Sequence, residues 1–161
     1  MVRRLFVLLA LVGGFIAFVP LHLAATQKNA APQPAAEDIS GSYSFLREGE
    51  FVQLTVEDGR LSGYVSRFGD SDSDKGQFID QFFDKTTLEG ENLTFNTKTV
   101  HGVWYDFKGK VTTTAGKKPT DEGYHVMKGT LVQHSTDDKG VEKAMQRQVE
   151  FKSFPADVGR Q

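Results

Sequence analysis

Residues 51–68 read FVQLTVEDGRLSGYVSRF, and this stretch decides the fold class. In its first part Val52, Leu54 and Val56 alternate with polar residues, as they do on a strand with one buried face. The dipeptide Asp58-Gly59 follows. Asp-Gly between two strand-like runs indicates a tight hairpin, because both turn positions tolerate a positive φ. The stretch therefore predicts two antiparallel strands joined by a short turn.

The same pattern recurs along the rest of the chain. Residues 87–97 predict a second hairpin that turns at Glu91-Asn92. Further strands are predicted in three segments rich in valine, threonine and aromatic residues: 100–114, 124–136 and 145–154. Seven to eight short antiparallel strands with regular turn signals predict a mainly β domain, either a single up-and-down β-barrel or a sandwich.

The start of this domain resembles the first hairpin of avidin-like and other calycin-type β-barrels. The resemblance rests on Gly-Ser-Tyr at 41–43, on the strand at 51–56 and on DGRLSGY at 58–64. It implies a calycin-like architecture alone. Avidins hold biotin with Asn and Ser in the loop after the first strand, where this chain has Arg-Glu-Gly at 47–49. They also use several tryptophans, whereas Trp104 is the only one here.

One segment departs from the strand pattern, because its apolar residues recur at helical spacing. These residues are Phe78, Ile79, Phe82 and Phe83. Ser73 and Asp74 are suitable caps in front of them. The pattern predicts one short helix that plugs an end of the barrel, with an irregular strand as the alternative.

The N-terminus has the features of an export signal. Arg3 and Arg4 precede an uncharged apolar run at 5–19, which is shorter than the roughly 20 residues of a membrane-spanning helix. Residues 1–25 are therefore predicted to be a signal peptide that forms a helix. It is either cleaved after Ala25 or retained as a membrane anchor. The protein is accordingly expected in the periplasm or secreted, tethered to the membrane only if the signal is kept.

Composition sets the remaining boundaries. An Ala/Pro-rich flexible linker is predicted at 26–38, the β domain at 39–155 and a disordered tail at 156–161.

The chain contains no cysteine, which excludes a lipoprotein anchor and disulfides. Its 21 acidic and 19 basic residues give a net charge of −2, and the basic residues are scattered. No basic stripe for nucleic acid is present, and the oligomeric state stays open.

Aromatic residues are the strongest candidates for a ligand site. A barrel interior or mouth could be lined by Tyr43, Phe95, His101, Trp104, Tyr105, Phe107 and Tyr124. Aromatic rings with a few polar groups suit small-molecule pockets, but they suit core packing equally well.

A metal site has weaker support. Asp70, Asp72 and Asp74 alternate as calcium ligands do, yet Lys75 and Gln81 stand where a calcium loop of the EF-hand type needs Gly and Glu. A solvated acidic loop that caps the following segment is the alternative. The histidines at 101, 125 and 134 lack the close spacing of a zinc or copper site, so packed histidines are expected there.

No catalytic motif stands out, since the chain has neither cysteine nor a G-x-S-x-G sequence. The sequence thus predicts a non-catalytic, exported β-barrel without a cofactor. It would bind a small apolar or amphipathic ligand, or a partner in the cell envelope. A purely structural or interaction domain with a filled core is the alternative, and a hydrolase is the third.

Overall fold

Eight antiparallel strands make up the domain. The computed structural model of the chain describes residues 38–72 and 74–155. The strands are β1 (Gly41–Ser44), β2 (Phe51–Glu57), β3 (Arg60–Phe68), β4 (Phe78–Glu89), β5 (Asn92–Thr97), β6 (Val103–Thr113), β7 (His125–Thr136) and β8 (Glu142–Lys152). Each strand pairs with its neighbours in sequence, in the order β1 to β8. This confirms the predicted mainly β class and number of strands.

Some predictions fall outside this range. The signal peptide at 1–25, the disordered tail at 156–161 and the cap at Ser73 lie outside the described residues, as does the linker except for Asp38. The described part of the chain contains no helix of membrane-spanning length and hydropathy.

The first predicted hairpin is confirmed. β2 and β3 pair from Phe51–Ser66 to Glu57–Arg60, and the turn between them has φ of 50° at Asp58 and 72° at Gly59. The second hairpin joins β4 to β5 and turns one residue earlier than predicted. Gly90 has a φ of 59° there, a conformation that glycine adopts without steric cost.

The predicted helix is wrong, because its residues belong to β4. Phe78, Asp80 and Phe82 are exposed, whereas Ile79 and Gln81 are buried. This two-residue period is that of a strand with aromatic side chains on both faces. The sequence spacing imitated a helix because the outer face of β4 is also partly apolar.

The sheet curls into a half-barrel, and its two outermost strands meet at one point. Tyr43 of β1 and Ser153, directly after β8, form an isolated antiparallel bridge. Next to it the Phe154 amide donates to the Ser42 carbonyl over 2.8 Å. We call this contact between residues 42–43 and 153–154 the seam.

Aromatic rings in mutual contact fill the inside of the curl. Phe95 stacks on Phe107 with 5.2 Å between ring centroids, and Phe107 lies 6.0 Å from Phe151. Phe45 lies 5.2 Å from Phe151 and meets Tyr105 edge-on at 5.2 Å. Each of these five side chains is at most 8% exposed. The interior is therefore a packed core along this chain of rings.

Candidate functional site

The seven residues predicted to line a ligand site separate into two groups. Four lie in the core, none more than 2% exposed: Tyr43, Phe95, Tyr105 and Phe107. The other three lie apart from them: Trp104 on β6, Tyr124 directly before β7, and His101 between β5 and β6. The structure thus brings the first four together as core and does not gather the seven around one cavity.

Trp104 belongs to a small polar cluster on the outer face of β6 and β7. Its ring stacks on that of His134, with centroids 4.9 Å apart and an interplanar angle of 2°. Nε2 of His134 lies 2.9 Å from Oδ2 of Asp106. Because the Asp106 side chain is 47% exposed, water screens this pair and its contribution to stability is small.

The three aspartates of the predicted calcium loop have different surroundings. Asp70 forms an ion pair with Arg47 at 3.1 Å, Asp72 is exposed, and Asp74 bonds to the Ser71 amide at 2.8 Å. Within residues 38–72 and 74–155 no group of three or more His, Cys, Asp or Glu side chains could hold a metal ion. Calcium binding stays a prediction.

Asp74 instead anchors the β3–β4 loop to the turn between β5 and β6. Its Oδ2 lies 2.6 Å from Nδ1 of His101, and the Asp74 side chain is only 6% exposed. Hydrogen bonds from Ser71 and His101 lower the pKa of Asp74 to about 2. His101 has a φ of 50°, an unusual conformation for a residue other than glycine. The contact therefore fixes two loops against each other.

A buried polar network lies where β3 ends and β4 begins. Arg67 is 1% exposed, and its Nε donates to Oε1 of Gln81 over 2.6 Å. Gln81 in turn donates to the carbonyls of Lys98 and Val103. Burial raises the pKa of the nearby Tyr105 hydroxyl to about 12. This network, rather than the predicted helix, occupies this end of the interior.

A cleft opens where β3 and β4 stop pairing. The two strands form a ladder from Phe68–Phe78 to Tyr64–Phe82. Beyond that point β4 pairs only with β5, after an irregularity between Phe83 and Lys85. An extra residue in one strand bends it and increases its twist, which moves it away from its former neighbour. The strands therefore diverge and leave a cleft.

The cleft has a volume of about 360 Å³ and combines aromatic with polar walls. Tyr64, Phe82 and Phe83 supply the rings. The polar wall consists of Thr55, Ser62, Asp84 and Thr86. Thr86 Oγ1 donates to the Leu61 carbonyl over 2.8 Å, which joins the two strands across the cleft.

Aromatic side chains continue from the cleft over the outer surface of β2, β3 and β4. Tyr64 lies 5.5 Å from Phe82 and 5.9 Å from Phe51, and Phe68 lies 4.4 Å from Phe78. Phe78 and Phe82 are 56% and 57% exposed. Exposed apolar patches often mark binding surfaces. We call these five residues the outer aromatic face.

Sequence reasoning missed this site, although one signal for it was available. Aromatic and acidic residues alternate at Phe78, Asp80, Phe82 and Asp84. A two-residue period of this kind indicates a strand whose outer face presents rings and carboxylates. The cleft itself depends on where β3 and β4 part, which no local pattern reveals.

Comparison of the chain with protein-family models, curated proteins and solved structures gives no match. The cleft, the outer aromatic face and the groups around them are therefore the features that can indicate a function.

Proposed function

We propose that the domain is a non-catalytic binding module that holds a small amphipathic ligand in the cleft between β3 and β4. The observation that carries this proposal is the volume of about 360 Å³ between Tyr64, Phe82 and Phe83. Ligand sites usually span about 300–1,000 Å³ and combine aromatic walls with a few polar groups. The hydroxyls of Ser62 and Thr86 and the carboxylate of Asp84 provide those groups.

The packed interior supports placing the ligand at this cleft rather than inside the curl. Phe95, Tyr105 and Phe107 are each 2% exposed and contact other rings. The same packing favours the second candidate function, a structural or interaction domain with a filled core. Phe82 distinguishes the two candidates. Its ring is too exposed to contribute much to the core, so the binding module needs it as a ligand contact and the structural domain does not.

The setting of the domain is part of the proposal. The paired arginines and apolar run at 1–19 support export to the periplasm or the medium, with the domain free or tethered by an uncleaved signal. The seam supports a calycin-like barrel, since it joins the two edges of an up-and-down sheet. Small ligands are typical of such folds, although architecture alone leaves the ligand open.

The test is a titration of the full chain with 2-naphthylmethanol, a neutral amphipathic probe, followed by NMR chemical shifts. We expect saturable binding with shifts at Tyr64 and Phe83. Phe82→Ala should weaken it about 3- to 10-fold, because a ring contact is worth about 0.5–1.5 kcal/mol beyond area burial. Met145→Ala is the matched control, since Met145 is 61% exposed and lies on β8.

Two results would overturn the proposal. One is a failure of the probe to saturate at millimolar concentration while the wild-type chain remains folded by circular dichroism. The other is an equal loss of affinity in Phe82→Ala and Met145→Ala. Either result would favour the second candidate function, the structural domain with a filled core.

A further inference from the structure

We propose that the ligand of this cleft is an organic cation, a small amphipathic molecule whose apolar body carries an ammonium group. This inference rests on the proposed function and names the class of ligand. It is drawn from the arrangement of carboxylates and aromatic rings along β4.

Two carboxylates on β4 have no partner in the described part of the chain. Asp80 and Asp84 are both exposed. Neither forms an ion pair or a side-chain hydrogen bond with another described residue, and Lys85, next to Asp84, forms no ion pair either. Asp84 also lines the cleft. No ion pair with another described residue thus neutralises the negative charge of Asp80 and Asp84.

Aromatic rings lie beside these carboxylates. Phe78 and Phe82 flank Asp80 on the same face of β4, and Tyr64 stands opposite Phe82 on β3. The face of an aromatic ring carries negative charge density and attracts cations within about 6 Å of its centroid. Rings and carboxylates therefore act in the same direction on an ammonium group.

One ring of the outer aromatic face already makes such a contact within the domain. The Arg47 guanidinium carbon lies 5.8 Å from the centroid of the Phe68 ring. Phe68 packs against Phe78 at 4.4 Å. At this end of the surface Arg47 therefore supplies a cation, whereas within residues 38–72 and 74–155 no cation contacts the Phe82 ring or pairs with Asp80 or Asp84.

An anionic ligand is disfavoured by the same geometry. It would meet the negative charge of Asp84, which lines the cleft, and like charges repel each other. A neutral ligand would keep the ring contacts and lose the charge attraction. Head-group charge should consequently rank affinities in the order cation, neutral, anion.

The experiment uses three probes that share one ring system. They are 2-naphthylmethyl-trimethylammonium, neutral 2-naphthylmethanol and anionic 2-naphthaleneacetate. Each is titrated into the full chain by NMR at low and at high salt. We expect the cation to bind about 3- to 10-fold more tightly than the neutral probe, as cation–π and exposed ion-pair contacts allow. This preference should shrink at 1 M salt, where charges are screened within about 3 Å.

Substitutions locate the charge that is responsible. Asp84→Asn should weaken binding of the cationic probe about 3- to 5-fold and leave the affinity for the neutral probe unchanged, because only the charge is removed. Asp80→Asn should act in the same direction. Glu142→Gln is the matched control, since Glu142 is an exposed carboxylate on β8.

The outcomes separate this inference from the proposed function. If none of the three probes binds, the cleft is not a ligand site and both proposals fail. If the neutral probe or the anion binds at least as tightly as the cation, the cleft binds ligands but the cationic class is wrong. An Asp84→Asn variant with undiminished cation affinity, together with an unaffected Asp80→Asn variant, would also overturn it.

Discussion

Tyr64 and Phe82 stand opposite each other as the last pair of the β3–β4 ladder, with ring centroids 5.5 Å apart. The two strands separate immediately beyond them. The cleft therefore arises from lost strand pairing rather than from a long loop, and its walls are ordered strands. Sites built on strands hold their geometry more closely than sites on loops.

Gly63 should be indispensable to the cleft. A Cβ at this position would lie 2.7 Å from Cε2 of Phe83 and would clash with the Gln53 carbonyl. We expect Gly63→Ala to destabilise the fold by about 1–3 kcal/mol through overpacking. Urea unfolding measures this cost. Ser62→Ala, at the exposed neighbouring position, should remain within about 0.5 kcal/mol of wild type. Equal stabilities of the two variants would contradict the close packing.

The buried and exposed phenylalanines should differ sharply in their effect on stability. Phe107 is 2% exposed in the middle of the ring chain, so Phe107→Ala should cost about 3–5 kcal/mol. Phe78→Ala removes a ring that is 56% exposed and should cost less than about 1 kcal/mol. Thermal unfolding of both variants checks the difference. A small loss for Phe107→Ala would mean that the interior is not the main core.

The sequence predicted the strands well because their signals are local. The alternation of Val52, Leu54 and Val56 and the Asp-Gly turn specify a hairpin by themselves. The segment at Phe78–Glu89 was misread for a physical reason. Phe82 packs on Tyr64 outside the sheet while Phe83 stacks on Phe95 inside it. Apolar residues on both faces of a strand conceal its two-residue period.

The candidate site could not be predicted from local patterns. It depends on the register that places Phe82 opposite Tyr64 and on the irregularity after Phe83. Both are determined by pairing between strands, not by the sequence of one strand. The same applies to Arg67, whose burial is explained only by its distant partner Gln81. The aromatic residues at 95, 105 and 107 were identified as core or ligand-binding, and packing places them in the core.

Arg67 and Gln81 should be energetically coupled. Their 2.6 Å hydrogen bond is buried, and removing either partner leaves the other unsatisfied. In a double-mutant cycle of Arg67→Met and Gln81→Leu we expect a coupling energy of about 0.5–3 kcal/mol. Guanidinium unfolding of the wild type, the two single variants and the double variant measures this coupling energy. Strictly additive effects would show that the two side chains act independently.

Acid should weaken the contact between Asp74 and His101. The folded pKa of Asp74 is lowered to about 2, whereas an unfolded aspartate titrates near about 4. The stability contributed by its bonded anion is therefore present above pH 4 and is lost as the pH falls through about 2. Asp74→Asn should flatten the decline of the melting temperature between pH 4 and pH 2.

The control for this measurement is Asp138→Asn. Asp138 lies in an exposed turn between β7 and β8, and its substitution should preserve the wild-type decline. Identical slopes for wild type and Asp74→Asn would show that the Asp74 contact does not set acid stability.

The seam has a consequence for the order in which the chain folds. Every ladder joins strands that are adjacent in sequence, so each can form after a short loop closes. The seam instead unites distant parts of the chain, as the bond from the Lys152 amide to Ser44 Oγ does across 108 residues. Because closing a longer loop costs more entropy, the last strand should dock on the first only after the hairpins exist. The Phe154 amide should then exchange with solvent sooner than the amides of β6, and slower exchange at Phe154 would place the closure earlier.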